Sequence, residues 1–344
     1  MKMGQNREIT RYSRQYIMPE IGKAGQEILL SKKVAVIGLG ALGTVAANNL
    51  ARAGVGNLLL LDRDFVELTN LQRQVIFTEA DVENRKPKAA AAKDYLSQVN
   101  SDIEIAAVID DLNYGNIHKY LEGVDLIVDA ADNFEVRLLI NDYAHEQRIP
   151  WVYGAAIGTT GMTMPVVPGE TPCLRCIVEK LPDPGSHPTC ETAGVLSTTT
   201  GVIGNLETTE AIKILVSSSQ VNNGLFTVDL WYNSFDRVEL HPRDDCPVCS
   251  RGEYEFLQGK DSSEVTSLCG QNAVQVLPGR EMTLDFKQLA NTLTPLGAVQ
   301  VTPFHLVFST EGKEMVLFKN GRAMIKNVDS EQQAISFYTR YVGA

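Results

Sequence analysis

Short apolar runs alternate along the first part of the chain with longer amphipathic or small-residue stretches, the pattern of strands feeding helices. Residues 34–40, Val-Ala-Val-Ile-Gly-Leu-Gly, predict a buried strand that runs into a glycine turn. Residues 41–53 are rich in small side chains and predict a helix able to pack closely on a sheet. A second strand covers 58–62, and an alanine-rich helix spans 86–100. Further strands are expected at 103–108, 126–129 and from Trp151 onward, with a helix from after Asn133 to about 147. Residues 8–30 read as helical with mixed polarity. Strands alternating with helices predict a doubly wound α/β fold, a parallel sheet with helices on both faces.

The pattern changes after residue 158. Gly, Thr, Met and Pro accumulate, and a Pro-rich loop covers 181–192. A helix is expected over about 201–216, then a strand pair near 226–232 and 237–240. Residues 253–267 are polar and read as a linker. The tail, 268–344, has its own pattern: strands at 273–276 and 304–308, a helix over 285–293, and a closing helix over 330–341. Two strands flank Asn320-Gly321, a hairpin signal because both residues favour positive φ. The expected organisation is therefore a large domain, 1–252, a linker, and a small α+β domain.

Composition alters this picture little. The chain has 344 residues, 44% hydrophobic and 21% charged, with a formal net charge of -11. Residues 265–344 are nearly balanced, so the acidic excess lies in the large domain. That disfavours a nucleic-acid footprint, which needs a basic stripe. No apolar run reaches membrane-span length, and the polar N-terminus lacks a secretory h-region, so a cytoplasmic location is expected. Of the six cysteines, four form two Cys-x-x-Cys pairs, Cys173/Cys176 and Cys246/Cys249. Without a secretory signal these read as a four-thiolate zinc site that clips distant segments together, with a redox dithiol as the alternative. Cys190 ends the Pro-rich loop and is a candidate nucleophile if its thiol is exposed and activated. Cys269 reads as a packing residue.

Gly38, Gly40 and Gly43 form a loop that lets backbone approach phosphate at a helix N-terminus. Asp62 closes the second strand, where an acid binds ribose hydroxyls, with Asp64 two residues on. These features alone suit a dinucleotide enzyme. Asn70, Arg73 and Gln74 follow immediately, then Lys86-Pro-Lys88, then Asp132-Asn133 at a strand end. A dinucleotide enzyme has no need of a guanidinium just past its ribose acid. A nucleotidyl transferase uses one on the departing pyrophosphate.

In this order and spacing the residues resemble the adenylating domain of the ubiquitin-activating E1 superfamily, within it the ThiF/MoeB/HesA branch, over roughly residues 8–252. The resemblance implies ATP- and Mg²⁺-dependent adenylation of the C-terminal glycine of a ubiquitin-like β-grasp sulfur carrier ending in Gly-Gly. It assigns Lys88 to the α-phosphate, with Lys86 the competing position. Arg73 goes to the β- and γ-phosphates, and Asp132 to the neighbourhood of Mg²⁺. It also implies a homodimer in which Arg14 reaches the neighbouring subunit's site. Cys190 matches the family's crossover-loop cysteine, and a cysteine desulfurase or sulfurtransferase is a further expected partner. The tail lacks the length and the loop cysteine of a rhodanese and is expected to dock a partner. The rival readings are an NAD-dependent oxidoreductase and a non-catalytic E1-like partner subunit.

Overall fold

Successive residues of the central strands face opposite helical layers. In β1 (Lys33–Ile37), Val34 and Val36 pack into one core while Ala35 and Ile37 pack into another. β2 (Asn57–Leu61) repeats this with Leu58 and Leu60 against Leu59 and Leu61. Burial on both faces is why these strands read as unbroken apolar runs. The computed structural model describes residues 11–179, 193–259, 265–268, 273–277 and 283–342. The chain divides into two units, residues 1–260 and 261–344.

The first unit is built on an eight-stranded sheet of order β3-β2-β1-β4-β5-β6-β7-β8. The added strands are β3 (Glu104–Val108), β4 (Leu126–Asp129), β5 (Trp151–Ile157), β6 (Thr160–Val166), β7 (Gly224–Asp229) and β8 (Ser234–Glu239). Pairing is parallel from β3 to β5 and antiparallel from β5 to β8. The expected parallel sheet thus ends at β5. No helix separates β5 from β6, and Gly158, at φ 57°, lies in the turn that sends the chain straight back.

Helices α1 (Gly22–Ser31), α2 (Ala41–Ala53), α3 (Lys88–Val99) and α5 (Ser197–Leu215) contribute to the core that holds Val34 and Val36. Helix α4 (Phe134–Gln147) packs on the other face, with Cys173, Cys246 and Phe256. The expected N-terminal helix is a short turn, Ser13–Tyr16, followed by α1, with Pro19 between them. Helix α5 starts at Ser197, four residues before the expected start. Strand order reverses between β1 and β4, so connections leave their C-terminal ends in opposite directions and open a crevice there.

The second unit is a six-stranded antiparallel sheet of order β11-β12-β13-β14-β10-β9. Its strands are β9 (Val265–Leu268), β10 (Ala273–Val276), β11 (Ala298–Val301), β12 (His305–Thr310), β13 (Lys313–Phe318) and β14 (Ala323–Lys326). Helices α6 (Phe286–Leu293) and α7 (Glu331–Tyr341) cover its core, where the Tyr341 ring meets Phe308 and Phe337 edge-on, each at 4.9 Å. Asp285 and Ser330 cap the two helices through their side chains. The Asn320-Gly321 turn differs from expectation. Only Gly321 takes a positive φ, 87°, while Asn320 Oδ1 accepts from the Arg322 amide at 3.2 Å. Part of the expected linker is structured: Phe256 is buried in the first unit, and 265–268 forms β9 of the second.

Candidate active site

The glycine loop leaves β1 at the reversal of strand order. Gly38 has φ 87°, and a Cβ there would lie 2.5 Å from Ala130 O. A Cβ on Gly43 would lie 1.9 Å from Gly38 O. Both positions therefore exclude a side chain. Gly40 differs, because a Cβ on it would meet nothing within 4 Å. It is the N-cap of α2, no side chain caps that helix, and its first turn holds no acid. The first amides of a 13-residue helix are left to an anion.

Facing this loop is a cluster of acids around one lysine. Asp62 is buried; its Oδ2 accepts from the Leu39 amide at 2.6 Å and its Oδ1 from the Asp64 amide at 2.7 Å. Burial raises its pKa against the pull of Lys88, and the charge of Asp64 adds to the rise. Lys88, at the start of α3, places Nζ 3.2 Å from Asp64 Oδ2, and its amide donates to Asp64 O at 2.8 Å. Burial opposes the lysine's charge, but Asp64, Asp62 and Asp132 outweigh it and hold the ammonium above the usual lysine range. Lys86 points elsewhere: it pairs with Asp81 at 3.3 Å and Asp94 at 3.2 Å, a third exposed. Of the two lysines, only Lys88 belongs to the cluster.

Asp132 is exposed in the segment between β4 and α4. It does not cap α4; Asn133 does, accepting from the Val136 amide at 2.9 Å, while its Nδ2 donates to Asp132 at 3.1 Å. Asn70 and Gln74 are buried by the 3-10 turn Leu68–Asn70 and the residues after it. Gln74 Oε1 is buried without a hydrogen-bond partner among the described residues. Arg73, half-buried, donates to Thr69 O at 2.8 Å. Arg14 is exposed on Ser13–Tyr16, and no hydrogen bond or ion pair joins it to the cluster. Cys190 and Cys269 lie outside the described residues.

Four ionisable side chains, Arg63, Arg137, Asp129 and Glu207, lie outside the expected set of site residues. Arg63 bridges Asp111 at 3.0 Å and stands 3.8 Å from Asp64, so the segment after β3 is also tied to the cluster. Arg137 and Asp129 form a buried pair at 3.3 Å. Glu207 on α5 is fully buried. Its only sequence signal is an acid set among small and apolar helix residues.

The four paired cysteines converge although the pairs are 73 residues apart. Their sulfurs lie within 4.8 Å of one another, with nearest separations of 3.4, 3.5 and 3.9 Å. All four are free thiols. The Cys173 thiol and the Arg243 amide donate to Cys176 and push its pKa down to about 4, whereas burial pushes Cys249 up to about 12. The cluster is able to chelate a metal.

Residues 12–248 match the ThiF family, and the chain belongs to it. It is 39% identical over 336 residues to the sulfur carrier protein ThiS adenylyltransferase of Bacillus subtilis, covering 97% of this chain and 99% of that one. It is 39% identical over 258 residues to the SAMP-activating enzyme E1 of Haloferax volcanii, covering 75% and 94%. A solved structure of Escherichia coli MccB with ATP superposes with a TM-score of 0.61 at 25% identity, covering 70% of this chain and 74% of that one.

Proposed function

We propose that the protein is an ATP-dependent adenylyltransferase that activates the C-terminal carboxylate of a ubiquitin-like sulfur-carrier protein. The carrying observation is Lys88, a buried ammonium beside Asp64 and near Asp62, which holds the Leu39 amide of the glycine loop. A carboxylate is a poor acyl donor, and AMP is a good leaving group. A carboxylate oxygen of the carrier attacks the α-phosphorus, the bond to the bridging oxygen breaks, and pyrophosphate leaves. The product is an acyl-adenylate.

The chain's own groups have separable parts in this. Gly40 and the first amides of α2 receive phosphate oxygens. Lys88 and Arg73 offset the charge that builds on the α-phosphate and the leaving pyrophosphate. Asp62 and Asp64 orient the loop amide of Leu39 and the lysine. The family resemblance assigns Asn70, Gln74 and Asn133 to the nucleotide as well. Asp132 is one exposed carboxylate with no capping duty, the donor that Mg²⁺ takes together with substrate phosphates. When bound, Mg²⁺ neutralises triphosphate charge.

Arg14, exposed and outside the cluster, fits service to a partner subunit in a homodimer. Zinc fits the four cysteines: tetrahedral bonds of about 2.3 Å require sulfurs about 3.8 Å apart, close to the separations above. With four protein ligands such an ion is structural. A thiol or persulfide then takes the acyl group, from Cys190 or an external sulfurtransferase or cysteine desulfurase. A β-grasp carrier ending in Gly-Gly, a cytoplasmic setting and a partner-docking role for the second unit complete the reading. Among the described residues no helix is long and apolar enough to cross a membrane.

The test is ATP exchange with radiolabelled pyrophosphate across a panel of Gly-Gly-ending carriers. Exchange that depends on one carrier supports the reading and names the substrate. Folded, metal-loaded protein that gives no exchange with any carrier and does not bind ATP overturns it.

A further inference from the structure

Arg137 lies four residues past the Asn133 cap, facing the segment that carries Asp132. That segment has few anchors. The Ala130 amide donates to Ile37 O at 2.8 Å, and the Ala131 amide to Asp129 Oδ1 at 3.0 Å. Arg137 Nη2 donates to Ala131 O at 2.7 Å and to Gly154 O of β5 at 3.1 Å. Its Nε stands 3.3 Å from Asp129 Oδ2. The rings of Phe134 and Tyr153 lie 5.4 and 5.2 Å from its guanidinium carbon. Asp132 receives one hydrogen bond among the described residues, from Asn133. Its carboxylate is therefore placed by the backbone on either side of it.

Glu207 closes the cluster. Both of its carboxylate oxygens are buried without a hydrogen-bond partner among the described residues. It packs on Gly154, where a Cβ would lie 1.7 Å from its Oε1. Burial, with the charge of Asp129 adding, pushes its pKa well above the usual carboxylate range.

A buried ion pair is weak evidence of stability, since apolar residues of similar volume often serve as well. What this pair adds is direction. One planar guanidinium ties the end of β4, a loop carbonyl and a carbonyl of the next strand. An aliphatic side chain cannot do that.

We propose that Arg137, oriented by Asp129, is a positioning residue that sets the Asp132 carboxylate for the metal-bound triphosphate; this rests on the reading of the crevice as a MgATP site. The experiment is calorimetric ATP binding to the full-length, zinc-loaded protein, with Mg²⁺ and with EDTA, for wild type, Arg137→Met and Arg137→Lys. Outer partners of metal ligands are worth about 10- to 100-fold in affinity. Arg137→Met is expected to weaken ATP binding by about that factor with Mg²⁺ and to leave binding in EDTA unchanged. Arg137→Lys, which keeps the charge but not the fork, falls between. In pyrophosphate exchange the half-activating Mg²⁺ concentration rises correspondingly. Equal weakening with and without Mg²⁺, or a loss of melting temperature with unchanged Mg²⁺ dependence, would overturn the inference. So would failure of both variants to fold, which would make Arg137 a requirement of the fold alone. Wild type that binds no ATP in either buffer instead removes the underlying reading of the site.

Discussion

Replacing Lys88 and Lys86 in turn by Met separates two lysines that the sequence leaves in competition. Lys88 Nζ is 3.2 Å from Asp64 Oδ2, with side chains only 9% and 17% exposed. At that distance two unit charges attract by about 5 kcal/mol at an effective dielectric constant of about 20. Desolvation offsets much of this, but removing one partner leaves the other charge buried. The net cost of breaking such a pair is about 3–5 kcal/mol, with the low end apt for a pair that keeps some solvent. Asp62 loses the same cation, so its pKa rises further above the unfolded value. A carboxyl raised in the native state binds its proton more tightly there, and stability falls as pH rises through the native pKa. The Lys88→Met protein is therefore expected to lose less stability at the acid end of the pH range than at the alkaline end. Loss of a donor to the transition state lowers kcat/KM for adenylation by about 10²–10³. Lys86 forms exposed pairs worth about 0.2–1 kcal/mol, and Lys86→Met is expected to adenylate at the wild-type rate. The assays are carrier-dependent pyrophosphate exchange and thermal melts at pH 5 and pH 8. Loss of exchange in Lys86→Met equal to that in Lys88→Met would falsify the assignment. So would Lys88→Met within about threefold of wild type, given the magnitude above.

The loop glycines separate packing from ligand approach. Gly43→Ala forces the Gly38 carbonyl aside, and a displacement of about 1 Å at a reacting site costs about 10²-fold, read as ATP affinity or kcat/KM. Gly40→Ala has open space, so its melting temperature should be unchanged while ATP affinity falls; unaltered affinity would place the phosphates elsewhere. Cys246→Ser, or a strong chelator, is expected to release one zinc per chain and lower stability by about 4 kcal/mol when zinc had stood a thousandfold above its dissociation constant. Metal analysis that finds no zinc in active protein removes that claim. Asp142 is pushed up to about 7 by burial from a usual 3.8, so its native form holds a proton that the unfolded chain gives up. Stability should fall as pH rises from about 4 to 7, and Asp142→Asn, which keeps an acceptor for the Phe256 amide, should flatten that slope. Equal slopes in urea titrations would assign the effect to another group. Cys190→Ala is expected to spare pyrophosphate exchange and to slow only the later acyl transfer; loss of exchange in the folded variant would contradict that division.

Much of the first unit was legible because its signals are local. Apolar runs mark β1, β2 and β4, and the glycine loop predicts its own turn, since Gly38 and Gly43 have no room for a Cβ. The fourfold cysteine pattern predicts convergence because four thiolates in two Cys-x-x-Cys pairs complete one tetrahedral zinc site. Short strands at the margins, β9 and β11, lack periodicity long enough to read.

What the sequence by itself determined is most of the elements and the candidate groups for binding phosphate. Tertiary structure decided which of these meet. Lys88 and not Lys86 reaches Asp64, because the first residue of α3 hydrogen-bonds through its amide to Asp64 O while Lys86 is left on the outer side. After β5 the strands turn antiparallel, by hairpins from β5 to β6 and from β7 to β8 with α5 between β6 and β7, because strand direction depends on what each connection packs against and not on the strand's own residues. Arg137, Gly154 and Glu207 come together from three elements. Each looks ordinary in sequence, since burial and pairing across such distances are properties of the folded sheet order alone.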